Sequence, residues 1–552
     1  MDNSTILSQI SMYAKLAELH EKNPFRYKAF ANASFNLKKI KDTFSEMSDA
    51  DLLSIPGVGK GVVEAIREIQ NSGTFTDLQE LEECTPDGII DILKIKGLGP
   101  KKVAVIWREL EIESTADLLN ACRENRLVSV KGFGLKTQAD VIHSIEFALS
   151  SKGRWHYARL LEPATEFKDH LKKFFDGSRI EFTGAFRRAV PEIDRIDLLV
   201  DLDPDEVIEY CDEMQYNAEW VDDQLTTWLL GQYPVIFHFA DSRDFERIWF
   251  ETTGSLEHLK LLGYESKEFV SEDQVYTSRG YSGVIIPEQR EGLNELREDF
   301  PREGLIEFWQ LKGVLHNHTT YSDGLNSLRE MAEFAKDQKY DYLGICDHSK
   351  SAGYAGGLSE ERLIQQIKEI DQLNNELAPF KIFKGIESDI LSDGSLDYPD
   401  EVLKLLDFVV ASVHSGLKMD EDKANQRLIR AIENPYTTIL GHPTGRLLLL
   451  REGYPIDHKK IIDACAANQV VIELNAHPWR LDIDWRWIDY AQNKGVLISI
   501  NPDAHEKSGY HDMYFGTLAA RKGGLLTRNT LNAMDLSEFE FFIQENRKNK
   551  IG

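Results

Sequence analysis

Positive charge is what this chain lacks most: 64 Lys and Arg stand against 92 Asp and Glu, a net charge of -28 over 552 residues. A protein coated in basic surface is excluded, so contact with nucleic acid has to be local, through a few lysines, backbone amides or bound cations. Cysteine is scarce as well. The five, Cys84, Cys122, Cys211, Cys346 and Cys465, are scattered, odd in number and without metal-ligand spacing, which argues against a disulfide framework and for a reducing compartment. There is no run of about 18 apolar residues, so no membrane partner is expected. The start, MDNSTILSQISMYAKL, has no basic segment ahead of an apolar core, and a cytoplasmic location is expected. The 42% hydrophobic content is enough for several domain cores at this length.

Ligand-type residues recur at strand ends. In LKGVLHNHTTYSDG, residues 311–324, a short apolar strand runs into His316 and His318, with Asp323 in the turn that follows. Later strands repeat the pattern: YLGICDHS ends at His348, KIFKGIES at Glu387, FVVASVHS at His414, TTILGHPTG at His442, and VLISINPDAH at Asp503 and His505. With VVIELNA, ending at Asn475, that makes seven strands, separated mostly by segments of helical periodicity. A parallel α/β barrel builds its site at the carboxyl ends of its strands, where these ligands fall. Mixed imidazole and carboxylate ligands suit zinc, manganese or iron without choosing among them. Several clustered ions suit phosphoester hydrolysis, since one lowers the pKa of a water while others neutralise phosphate. Arg446 and Lys350, just beyond ligands, either clamp a phosphate or are solvated surface charge. Trp479, Trp485 and Trp487 either stack an unpaired base or cover the barrel.

The amino-terminal part carries a threefold repeat. IPGVGKGVVEAIREI, IKGLGPKKVAVIWREL and VKGFGLKTQADVIHSI each place a Gly-x-Gly turn before an amphipathic helix. The pairs are Gly57 and Gly59, Gly97 and Gly99, and Gly132 and Gly134. Such a turn lets a phosphate approach free backbone N–H groups at the helix start. Lys60, Lys101, Lys102 and Lys136 lie close enough to assist.

The motifs HNH, SDG, DHS, GIESD, SVHS, GHP and PDAH resemble, in order and spacing, those of the PHP (polymerase and histidinol phosphatase) domain, over residues 311–552. The resemblance fills all nine ligand positions and implies three metal sets: His316, His318, Glu387 and Asp503; Glu387, His414 and His442; and Asp323, His348 and His505. Catalysis is then expected around His316, His318, Glu387, Asp503 and Arg446, with two to three divalent ions, manganese or zinc, iron being an alternative. The three turns resemble helix-hairpin-helix motifs, which hold the DNA backbone without reading sequence. Together these parts resemble the bacterial family X DNA polymerases.

That resemblance implies a nucleotidyltransferase palm between them, recognisable in GAFRRAVPEIDRIDLLV. Its metal site is degenerate. The family's Gly and first catalytic Asp are replaced by Asp194 and Arg195, only Asp197 survives, and the third Asp position holds Ile236. Asp194 is expected to face away from Asp197. The family serine is Ala185, and Glu251 and Thr252 replace the aromatic pair before Thr253, Gly254 and Ser255. The lysine that would form a Schiff base is matched by Ala65.

The expected fold is multidomain: an N-terminal all-α helix-hairpin-helix region, an α+β nucleotidyltransferase-like palm and thumb, and a C-terminal α/β PHP domain, a distorted (β/α)7 barrel. The boundaries are 1–82 and 83–155 for two helical domains, 156–300 for palm and thumb, 301–310 for a linker and 311–552 for the barrel. The expected activity is metal-dependent 3′ to 5′ exonuclease or 3′-end processing in DNA repair, on gapped, nicked or 3′-ended DNA without sequence preference, and with no polymerase activity. A small-molecule phosphatase, a non-catalytic DNA scaffold and an active polymerase are the alternatives.

Overall fold

The computed structural model describes residues 3–551 except 39, 41, 42, 45, 96, 151, 152, 267, 268 and 270, and omits the side chains of 4 and 147–150. It divides into two compact units, Met1–Ala148 and Leu149–Gly552.

The first unit is all helix among its described residues. The boundary expected at 82/83 does not separate two bodies. The long helix Asn3–Leu19 packs on both Thr76–Glu83 and Pro100–Arg108, and Lys15 Nζ donates to Leu93 O at 3.0 Å across that line. Each hairpin turns on a left-handed glycine, with φ of 82° at Gly57, 90° at Gly97 and 98° at Gly132, a conformation costly for any residue with a Cβ. Helix Lys60–Ser72 buries Val62, Val63, Ala65, Ile66 and Ile69 on one face, so its position in the unit is set by apolar burial and not by propensity alone.

In the second unit, a five-stranded palm sheet runs in the order Ile180–Thr183, Ile196–Val200, Tyr233–Phe239, Gln224–Leu229, Ala218–Val221. Only the pair Ile196–Val200 with Tyr233–Phe239 is parallel, and its register sets Asp197 beside Ile236. Helices Tyr157–Phe174 and Pro204–Glu213 contribute Leu160, Phe167, Val207 and Tyr210 to the core with Leu198, Val200 and Phe237. A smaller core of Phe250, Val275, Tyr276 and Ile285 forms the thumb.

The barrel strands are all parallel. Gly313–Val314, Tyr342–Ile345 and Lys381–Lys384 form one sheet, and Glu387–Asp389, Val410–Ser412, Ile439–Leu440, Val471–Asn475 and Ile498–Asn501 the other. Single parallel bridges His348↔Glu387 and Asn317↔Ala504 join the two into a ring. Seven strands result when Lys381–Lys384 and Glu387–Asp389 are read as one strand interrupted at Gly385 and Ile386, which matches the sequence expectation. Ladders of only two to four residues add little to such a ring at about 1 kcal/mol net per hydrogen bond. The interior layer of Tyr342, Phe383, Phe408, Ile439 and Val471 does more, at about 1.5–3 kcal/mol per buried large side chain. Phe539 of the last helix, Leu536–Ile551, stacks on Tyr342 at 4.6 Å and completes that layer.

The segment before the barrel is no loose tether. Gln289 Nε2 donates to Arg521 O at 3.0 Å, Ile306 N donates to Leu525 O at 2.9 Å, and buried Lys522 reaches Glu291 Oε1 at 2.5 Å.

Candidate metal centre and the polymerase-like palm

Nine side chains from the barrel's strand ends converge on one pocket, most of them buried and His414 half-buried. Glu387 is its hub: its Oε1 lies 3.2 Å from His316 Nε2, 3.1 Å from His414 Nε2 and 3.0 Å from His442 Nε2, and its Oε2 lies 2.9 Å from His348 Nδ1. Asp503 Oδ1 meets His318 Nε2 at 3.0 Å. Asp323 lies 3.5 Å from both His348 and His505. His316 and Asp503 carry φ of 62° and 52°, left-handed turns at the strand ends. Burial opposes charge on Glu387, yet His414, His316 and His348 outweigh it and hold the carboxyl well below the usual carboxylate range.

The ligands group as His316, His318 and Asp503; His348, Glu387 and His414; and His318, Asp323, His348 and His505, each set having ligand atoms within 4.8 Å. His318 and His348 therefore stand in two groups each, where the family pattern assigns each to one, and His442 joins through Glu387. The donor set fits divalent cations. Nε2 of His316, Nδ1 of His318, Oδ2 of Asp323, both ring nitrogens of His348 and Oε2 of Glu387 are buried without a hydrogen-bond partner. Each such atom costs about 1–3 kcal/mol if left so, and a cation among them removes that cost.

Partners outside the ligand set orient the rings, and sequence reading missed them. His316 Nδ1 donates to Glu473 Oε2 at 2.6 Å and His414 Nδ1 to Asp389 Oδ1 at 2.5 Å. Both bonds leave Nε2 pointing inward, the arrangement that raises ligand basicity. A signal was available: Glu473 is a charge inside an apolar strand, and Asp389 shares a strand face with Glu387 two residues before it.

Arg446 does not serve as a phosphate clamp. Its Nε donates to Arg480 O at 2.8 Å, and its other nitrogens to Asp484 and Leu481 O, so the guanidinium ties down the 480–484 loop. Lys350 lies 3.5 Å from Glu360 and is exposed. Trp479 and Trp487 are packed, on His156 at 3.9 Å and His458 at 4.7 Å, and Lys522 lies over Trp485.

At the hairpins, Gly59 and Gly99 cap helices Lys60–Ser72 and Pro100–Arg108, and Gly134 precedes Leu135–Ser150. The space a Cβ would enter at Gly59, Gly97, Gly99, Gly132 and Gly134 is open. Lys60, Lys101 and Lys136 are exposed. Lys102 instead turns inward, over the Phe133 ring at 5.5 Å. Ala65 is buried in its helix.

In the palm, Arg195 Nε lies 3.2 and 3.3 Å from the two oxygens of Asp197, and His238 Nε2 lies 2.9 Å from Oδ1. Asp194 sits exposed in a bend before the strand, rather than on the strand itself. Arg187 pairs with Glu272 at 2.7 Å and Arg188 with Glu291 at 3.1 Å.

Residues 1–75 match the helix-hairpin-helix domain family, 89–146 the SAM-like helix-hairpin-helix tandem and 315–477 the PHP domain. The chain is 35% identical to the DNA polymerase/3′-5′ exonuclease PolX of Bacillus subtilis (strain 168), over 99% of this chain and 100% of that protein. The chain belongs to the bacterial family X DNA polymerases. Other relatives match less of this PolX-family chain. A probable phosphatase of Thermoanaerobacter sp. (strain X514) is 27% identical over 44% of this chain and 98% of its own length. One from Caldicellulosiruptor bescii is 32% identical over 35% of this chain and 79% of its own length. No helix among the described residues is long and apolar enough to cross a membrane.

Proposed function

We propose that this PolX-family chain is a DNA-repair enzyme whose PHP barrel is a metal-dependent 3′ to 5′ exonuclease and 3′-end-processing phosphodiesterase, and whose palm does not polymerise. The observation that carries the reading is the cluster of buried ligand atoms that crowd around Glu387 at 2.9 to 3.2 Å, several of them without a hydrogen bond. His316, His318, Asp323, His348, Glu387, His414, His442, Asp503 and His505 would hold two to three ions, manganese or zinc, with iron as the alternative. Bound there, divalent cations would supply an activated water and charge neutralisation for a phosphodiester. Glu473 and Asp389 hold His316 and His414 with Nε2 inward, and Asn475 Nδ2 holds Asp503 by Oδ2 at 3.1 Å so that Oδ1 faces the histidines. No side chain has to act as nucleophile.

Gapped, nicked or 3′-ended DNA is the proposed substrate. The glycine turns beside Lys60, Lys101 and Lys136, open at Gly59, Gly97, Gly99, Gly132 and Gly134, would receive backbone phosphates, which accommodates DNA in a protein of net charge -28. The phosphatase-like relatives match about a third to under a half of this chain, so a small-molecule phosphatase leaves the hairpins without a role.

Loss of synthesis follows from charge. A two-metal transfer site needs carboxylates facing the ions. Here a guanidinium and an imidazole already contact Asp197, and Ile236 beside it offers no donor. Purified protein incubated with 3′-labelled gapped DNA and manganese, with and without nucleotides, should shorten the primer and never extend it. Template-dependent extension that Asp197→Ala abolishes would overturn the palm reading, and an unchanged primer would overturn the nuclease reading.

A further inference from the structure

We propose that His156, on the short palm strand Trp155–His156, is a positioning residue for the hydrolytic site in the barrel, acting through the loop that carries Arg480. The contact is specific. His156 is buried, its ring centroid lies 3.9 Å from that of Trp479, and its Nε2 donates to Leu448 O at 3.0 Å. Leu448 N in turn donates to Trp479 O at 2.6 Å, so one palm side chain grips both barrel loops that flank Trp479. Tyr157 and Pro191 of the palm line the same small crevice as Pro478 and Leu481.

The residue after Trp479 is Arg480, 5% exposed, with Nε 3.8 Å from Asp503 Oδ2. That oxygen also accepts from Asn475 Nδ2, whose backbone N–H donates to Asp482 O at 2.6 Å across the same loop. Asp503 Oδ1, the opposite oxygen, faces His318 at 3.0 Å. The loop therefore sets the rotation of the Asp503 carboxylate: Asn475 and Arg480 take one oxygen and leave the other to the ligand set. Arg446 holds the loop from inside the barrel through Arg480 O, and His156 holds it from the palm. A palm whose own metal site is filled by Arg195 thus keeps a role as a brace for the site next door. Ligand orientation of this kind is worth 10–100-fold in metal affinity or activity where such partners have been removed in metal sites generally.

The inference rests on the hydrolase reading of the barrel, and the test separates the two. In the full chain, hydrolysis of a 3′-labelled single strand is titrated with manganese, and manganese retained per chain after desalting is measured by elemental analysis. His156→Ala should raise half-saturating manganese about 10-fold and lower the metal retained, with kcat at saturating manganese near that of the parent. His156→Gln, which can still donate to Leu448 O, should recover part of the loss. Trp479→Leu reaches the same loop from the barrel side and should behave as His156→Ala. Phe167→Leu, in the palm core and far from the loop in sequence, should lower the midpoint of thermal unfolding without changing manganese dependence. Unchanged manganese dependence and retention in either His156→Ala or Trp479→Leu overturns the proposal, as does an equal shift in Phe167→Leu. His316→Ala runs in parallel: if it keeps full hydrolysis, the reading of the barrel fails, whereas an inactive His316→Ala beside an unaltered His156→Ala removes only the brace.

Discussion

The barrel pocket and the palm sheet each bury a carboxylate beside basic side chains, and they differ in which bases those are. Asp197 has Arg195 and His238 against both its oxygens. Glu387 has four imidazoles around it, yet its Oε2 and the inward nitrogens of His316 and His348 make no hydrogen bond. An arginine cannot give up its proton and stays a cation at any physiological pH, so Arg195 faces Asp197 as a fixed positive charge. A histidine can become a neutral ligand when an ion arrives. The two carboxylates thus differ in the kind of base that faces them more than in the number of neighbouring charges.

The largest effect should come from breaking the barrel side of that contrast. His316→Ala or Asp503→Ala should lower hydrolysis by about 10³-fold or more, since stabilisation by bound metal is worth several kcal/mol. The folded barrel should persist, because its interior layer of Tyr342, Phe383 and Phe408 contains neither residue. Circular dichroism beside a nuclease assay checks both halves, and undiminished turnover would remove the distinction.

A middle-sized effect should follow removal of residues 1–148, which form their own compact unit. Affinity for gapped DNA should fall by about 10-fold or more, and the steepness of its salt dependence should fall with it, since phosphate contacts release counterions. Cleavage of short single strands should persist. Binding isotherms at several salt concentrations read this directly, and equal affinity with and without the segment would contradict it.

The smallest effect is expected from trying to repair the palm. Arg195→Asp restores one carboxylate but leaves Ile236 beside Asp197, so primer extension should stay at background. Because Asp197 is 3% exposed in its side chain and would keep only His238 beside it, the stability change should be about 1–3 kcal/mol. Extension by this single variant would show that the palm is one substitution away from a working site.

Much of the barrel was legible in chain order because its site is built at strand ends, where position along the chain and position in space coincide. His316, His318, His348, Glu387, His414, His442, Asp503 and His505 each stand just past an apolar run, and the glycine turns announce the hairpins in the same local way. The 82/83 boundary falls between the family matches 1–75 and 89–146, yet the two regions pack as one unit because the helix Asn3–Leu19 reaches helices 60 to 100 residues away. Nothing local in Arg446 distinguishes a phosphate clamp from a loop tie.

By itself the sequence determined which side chains are available: nine ligand-type residues at the barrel's strand ends, Arg195, Asp197 and Ile236 in the palm, and three paired-glycine turns. Only the tertiary structure decided their partners. It put Glu473 behind His316, turned Arg446 onto Arg480 O, closed Arg195 over Asp197 and set His156 of the palm against Trp479 of the barrel. Identity is a property of one position, whereas charge pairing and ring packing depend on distance and burial. Those are fixed between residues up to some 300 positions apart, as His156 and Leu448 are at 292, only when the chain has folded.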